Sequence, residues 1–123
     1  MFAKAFGAAA ASLLLFTTMA LAEADAVAGK RMAMKCSTCH SFEAGKNKIG
    51  PSLFGVVGRK AGTMPKFTYS KALKDSNIVW TTDKLDEYLS GPKVLVLGNH
   101  MGFAGLSQES TRANVIAYLA TLK

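Results

Sequence analysis

Cysteine is nearly absent: two residues, Cys36 and Cys39, serve a chain of 123. So few exclude a disulfide framework, and they leave no second cysteine pair to complete a four-ligand zinc site. Histidine is as scarce, with only His40 and His100. Acidic side chains number 8 against 15 basic ones, a net charge of +7, and this shortage of acid directs the chain toward anionic partners. Nucleic acid is disfavoured among them, because aromatic and basic residues are not interleaved as a base-stacking surface requires. Alternating apolar and polar runs are also missing, so strands have almost no support and the fold class is all-α. The length is that of one domain.

The exception to an otherwise even composition is residues 1–22. One charge, Lys4, precedes a run of Ala, Leu, Phe and Met that ends in Ala20-Leu21-Ala22, with Glu23 and Asp25 directly after. A basic start, an apolar middle and a small-x-small end form the pattern of a cleaved secretory signal peptide. The alternative is a retained membrane anchor, since the apolar stretch approaches the roughly 18 residues that a spanning helix needs. Either way residues 23–123 form the domain, and a bacterial periplasm is the expected destination. Cleavage would leave 14 basic and 8 acidic side chains, a net charge of +6. A domain this small gains from a stabilising metal or cofactor.

Beyond residue 22 the pattern predicts helices separated by Gly-rich loops. Ala24, Ala28 and Met32 recur at helical spacing, predicting a helix over 25–36 that runs into Cys36. Gly50-Pro51, Gly55 and Gly58 mark a loop over 45–62. A short helix is expected from Tyr69 through Asp75. Thr82 or Asp83 can cap a helix with the face Leu85, Tyr88 and Leu89, stopped by Gly91-Pro92. Residues 93–106 read as an irregular loop. The last helix, capped near Ser107 or Ser110, presents Val115, Tyr118, Leu119 and Leu122.

Cys36-Ser37-Thr38-Cys39-His40 is C-x-x-C-H, the attachment signature of a c-type haem. Two thiols one helical turn apart can reach the two vinyl groups of one porphyrin, and the adjacent His then lies over the iron. A thioredoxin-like redox pair would need a βαβ context that is absent. A disulfide closing so short a ring would be strained and stabilise little. An electron-transfer iron needs a second axial ligand far along the chain. Met101, in a Gly-rich loop between two helices, fits that need, and Met ligation opposite His raises the reduction potential. Met64 is a weaker choice, and Met32 and Met34 lie too near the attachment helix. His100, beside Met101, would give a bis-His iron, and spacing does not separate the two neighbours.

The chain resembles the class I, mitochondrial-type cytochromes c, in particular bacterial c2/c550-like members, from about residue 25 to residue 120. The matching pieces are Cys36 to His40, Gly50-Pro51-Ser-Leu53-Phe-Gly55-Val-Val-Gly58-Arg59, Phe67-Thr-Tyr69-Ser and Val79-Trp80. Glu87-Tyr88-Leu89, Met101-Gly-Phe103-Ala-Gly105 and Ile116-Ala-Tyr118-Leu119 follow in the family's order. The resemblance implies one covalently bound haem c, with several helices and irregular loops wrapped around it. It implies a one-electron carrier, not an enzyme. It assigns His40 and Met101 as axial ligands, Met101 being preferred to His100 on this ground. By the same resemblance Pro51 accepts the imidazole N–H of His40, and the hydroxyl of Tyr88 approaches the methionine sulfur. Arg59, Tyr69 and Trp80 satisfy a buried haem propionate, Phe103 shields the haem edge, and Tyr118 packs between the terminal helices.

Departures from the family pattern bear on the methionine loop. Leu97-Gly98 replaces the usual Pro-Gly, which frees backbone torsions and weakens the hold on Met101. His100 replaces a lysine, supplying an alternative ligand when the loop opens. Such a weakened loop is also the one feature favouring a ligand-binding haem protein over a carrier. Asn99 stands where a propionate-bonding threonine is common, and its amide is expected to substitute. Leu73 replaces an asparagine beside a buried water and is expected to exclude that water. By resemblance Lys35, Lys48 and Lys93, with Lys46 nearby, ring the haem edge and steer encounter with acidic partners. A quinol–cytochrome c reductase as donor and a terminal oxidase or other periplasmic acceptor are the implied partners. The protein is expected to act as a monomer.

Overall fold

The computed structural model describes residues 2–5, 7–14 and 23–123. The expected cleavage site at Ala20-Leu21-Ala22 lies outside the described residues, among which no helix is long and apolar enough to cross a membrane. Among the described residues, five α-helices and one 3-10 turn make up the regular structure: α1 (Ala26–Ala33), the turn Cys36–Thr38, α2 (Lys71–Lys74), α3 (Thr82–Ser90), α4 (Pro92–Leu95) and α5 (Glu109–Ala120). Extended pairing among the described residues is limited to one bridge, between Lys60 and Val79. The all-α expectation holds.

Local chemistry explains where each helix begins. Asp25 caps α1 by accepting from the backbone N–H groups of Val27 and Ala28 at 2.9 and 3.0 Å. The helix stops at Ala33, short of the expected Cys36, and the chain tightens into the 3-10 turn. Ser70 caps α2 through the N–H of Leu73. The cap of α3 is Thr81, not Thr82 or Asp83, because Thr81 holds the extended backbone (φ −66°, ψ 163°) that a capping residue adopts. Gly91-Pro92 stops α3 as expected, yet it also starts α4 inside a segment expected to be irregular. Proline's fixed φ suits the first helical position.

Neither Ser107 nor Ser110 caps α5; the helix begins after Gln108 without a side-chain cap. Arg112 braces this end instead, donating to the carbonyls of Leu106 and Ser107 at 2.9 and 3.2 Å. Its Nε pairs with Asp86 of α3 at 2.7 Å, tying the two helices together.

α1 crosses α5 so closely that a Cβ on Gly29 would sit 1.8 Å from the carbonyl oxygen of Asn114. Asn114 also accepts the backbone N–H of Asp25 at 2.8 Å, locking the same crossing. The core runs from this contact through α3: Val56, Ala61, Trp80, Leu85, Tyr88, Leu89, Val96, Val115, Ile116 and Leu119 are buried together. Leu85, Tyr88 and Leu89 thus form the expected face. On α5, Val115 and Leu119 share the burial with Ile116, which the periodic reading left out. Tyr118 and Leu122 pack only partly against the core, and Tyr118 meets the ring of Phe42 edge-on at 5.5 Å.

Candidate functional site

The two cysteines and the histidine are set by one carbonyl. Cys36 O accepts from both Cys39 N–H, at 3.1 Å, and His40 N–H, at 2.8 Å. This tight turn puts Cys36, Cys39 and His40 on consecutive steps of a single loop, with both thiols unbridged and half-buried. Burial pushes the Cys36 thiol above its ordinary pKa, nearby Cys39 adds to this, and Lys35 opposes it.

The loop over 41–53 then folds back over the imidazole. Gly50 N–H donates to Cys39 O at 2.7 Å and Leu53 N–H to Ser41 O at 2.8 Å. These bonds bring Pro51 O to 2.7 Å from Nδ1 of His40. A carbonyl only accepts, so Nδ1 carries the proton and the lone pair of Nε2 is left for a metal. Burial holds the imidazole below its ordinary pKa against the opposing pull of the Pro51 bond, and the charges of Arg59 and Lys48 lower it further. The ring is therefore neutral at physiological pH. Gly50 is a residue whose role sequence reasoning missed. A Cβ there would lie 2.4 Å from Cε1 of His40, so only glycine lets the backbone pass the ring. Its place just before Pro51 was the available signal.

Met101 is half-buried, and its sulfur accepts from the hydroxyl of Tyr88 at 3.4 Å. Burial pushes the Tyr88 phenol up to about 12, keeping it a donor. His100 is exposed. The sulfur of Met64 is turned to Arg59, whose Nη1 donates to it at 3.3 Å.

Arg59, Tyr69 and Trp80 are brought near one another, though not bonded side chain to side chain. Arg59 donates to Ser52 O at 2.8 Å, and burial lowers its pKa. Tyr69 accepts the N–H of Met64 at 3.0 Å. Trp80 is buried, its backbone N–H bonds to Arg59 O at 2.9 Å, and its ring lies 4.8 Å from that of Tyr88. Phe103 and Lys93 line one cavity of about 310 Å³ with Val94. Lys48 reaches back to the attachment turn, donating to Ser37 O, while Lys46 pairs with Glu43 at 3.6 Å. Leu73 packs against the core.

Asn99 differs from expectation. Its Nδ2 donates to Pro92 O and Val96 O, both at 2.9 Å, and its Oδ1 accepts Met101 N–H at 2.8 Å. Both amide protons are engaged within the chain, so a propionate is not their partner.

The residues present fit a covalently attached haem. Two free thiols stand on one tight turn, the adjacent neutral imidazole has one nitrogen fixed and one open, and Gly50 leaves room for that ring. Fold and site together define an all-α protein with a c-type haem attachment. No family model matches the chain. It is 47% identical over 100 residues to cytochrome c2 of Rhodopila globiformis, covering 80% of this chain and 94% of that one. Cytochrome c2 iso-2 of Magnetospirillum molischianum is 49% identical over 100 residues, covering 81% of this chain and all of the relative. The solved structure of cytochrome cH from Methylobacterium extorquens superposes with a TM-score of 0.76 at 43% identity, covering 79% of this chain and 98% of that one. The chain belongs to the class I cytochromes c, a family of electron carriers, not enzymes, with one covalently attached haem c.

Proposed function

We propose that this protein is a soluble one-electron shuttle of a bacterial respiratory or photosynthetic chain, with His40 and Met101 as the axial ligands of its haem iron. The observation that carries the choice of Met101 is its sulfur held by Tyr88 while the neighbouring His100 is exposed. The haem supplies the reversible one-electron couple. Each protein group has a separable task. Cys36 and Cys39 fix the haem to the chain, and Pro51 orients the imidazole. Tyr88 directs one sulfur lone pair, leaving the other for iron. Soft sulfur favours the ferrous state and so a higher potential. Arg59, Tyr69 and Trp80 surround a propionate, since a buried carboxylate needs hydrogen bonds or a counter-charge. Phe103 covers the haem edge.

Partner choice rests on charge. Lys35, Lys48 and Lys93 are exposed, and with Lys46 they attract an acidic docking face, speeding encounter without tight binding. A quinol–cytochrome c reductase would donate and a terminal oxidase or other periplasmic acceptor would receive. Residues 1–22 act as a cleaved export signal, releasing residues 23–123 into the periplasm as a monomer.

The test is an absorption spectrum of the exported protein, oxidised and reduced, beside the mass of its mature N-terminus. A c-type reduced spectrum with a weak sulfur-to-iron band in the oxidised form is expected. Haem without that band would shift the assignment to His100 or an open site, and absence of haem would overturn the proposal.

A further inference from the structure

The methionine loop lacks the proline that would stiffen it, and the structure shows what stands in its place. Asn99 N–H donates to Val96 O at 3.1 Å, closing a turn with Leu97 and Gly98 at its two central positions. Gly98 has φ +91°, the left-handed value that the third position of a type II turn requires. Proline would fix φ at position 97, but Leu97 is 85% exposed and supplies neither that restraint nor packing.

The side chain of Asn99 compensates. It is 4% exposed, and its three bonds run to Pro92 at the start of α4, Val96 at the end of α4, and the N–H of Met101. Two carbonyls facing Nδ2 and one N–H facing Oδ1 fix the orientation of the amide. The bond two residues onward to Met101 is an Asx-turn, which sets the backbone at the ligand itself. His100 is thereby held between a buried Asn99 and a half-buried Met101 with its own side chain outside.

We propose that Asn99 is the positioning residue of the sixth ligand: it clamps the 96–101 loop shut so that the Met101 sulfur stays on the iron. The inference rests on Met101 being that ligand. Opening the loop breaks the bonds of a buried amide, so the open fraction is small. An external ligand binds only the open form, and its apparent affinity scales with that fraction.

Imidazole titration of the oxidised holoprotein reads this fraction directly. The parent is His100→Ala, so that no neighbouring side chain competes, and Asn99→Ala and Asn99→Ser are compared with it. Asn99→Ala should bind imidazole at least about tenfold more tightly, the effect of losing one or more buried hydrogen bonds. The serine hydroxyl can rebuild the local turn to Met101 but cannot span both carbonyls, so Asn99→Ser should fall between. Far-UV circular dichroism verifies that each variant is folded at the titration temperature. If Asn99→Ala does not fold, Asn99→Ser alone decides, and a several-fold gain is expected. An affinity within twofold of the parent in a folded variant overturns the clamp while leaving Met101 as ligand. A parent without the sulfur-to-iron band removes Met101 as ligand, and the clamp with it.

Discussion

The His40 flank and the Met101 flank of the site are held by different kinds of bond. On the His40 side the groups that set the ligand itself are backbone, with Lys48 and Arg59 bracing the surrounding loop. Cys36 O gathers two N–H groups, Gly50 N–H locks the returning loop to Cys39 O, and Pro51 O accepts the imidazole N–H. On the Met101 side they are side chains: Asn99 grips the ligand's own N–H, and Tyr88 grips its sulfur. A backbone restraint survives most substitutions, because every residue type but proline supplies the same N–H and C=O. A side-chain restraint is lost with one truncation. The molecule thus fixes one ligand by chain path and leaves the other adjustable residue by residue.

The largest way to break this contrast is on the His40 flank, where the backbone passes the ring at Gly50. Gly50→Ala places a Cβ 2.4 Å from the imidazole, and either the ring or the loop must move. We expect a loss of about 3 kcal/mol, the upper part of the usual cost of overpacking, in denaturant unfolding of the holoprotein. An unchanged midpoint would show that the loop yields and is not a rigid support. A smaller effect belongs to Tyr88→Phe, which removes the hydroxyl from the Met101 sulfur. About 1 kcal/mol should be lost from the sulfur bond, read as several-fold tighter imidazole binding with a normal reduced spectrum. No change there would leave Asn99 as the main restraint. Smallest is Leu97→Pro, at an exposed turn position where proline presets φ. It should stabilise the closed loop by about 0.4–1 kcal/mol and weaken imidazole binding, whereas destabilisation would show that the φ of residue 97 is incompatible with proline.

Legibility in the sequence divides along the same line. Cys36, Cys39 and His40 were readable because attachment chemistry demands fixed spacing, and α3 was readable because Leu85, Tyr88 and Leu89 repeat at helical period. Pro51 and Tyr88 could be assigned only through resemblance, since neither a carbonyl acceptor nor a phenol near sulfur leaves a periodic trace. Two things stayed hidden for physical reasons. Gly50 looked like ordinary loop glycine, because close approach to a ring is a tertiary fact. Asn99 takes a propionate role only by resemblance to a threonine at its place, and its acceptors around α4 are invisible in a stretch that reads as irregular. The caps at Thr81 and Gln108 were missed by a residue or two, since adjacent Thr and Ser residues offer several local choices and tertiary braces such as Arg112 decide among them.

The crossing of α1 and α5 has a mechanical consequence. The bond from Asp25 to Asn114 joins positions 89 residues apart, a loop whose closure costs roughly 4 kcal/mol in chain entropy. It closes the chain near both ends of the described span 23–123. Tension applied between those ends would travel through this crossing, and the span that includes His40 and Met101 would stay slack until it gave way. The glycine that lets the two helices touch therefore makes the crossing a strain relief, shielding the ligand loops from any pull on the termini.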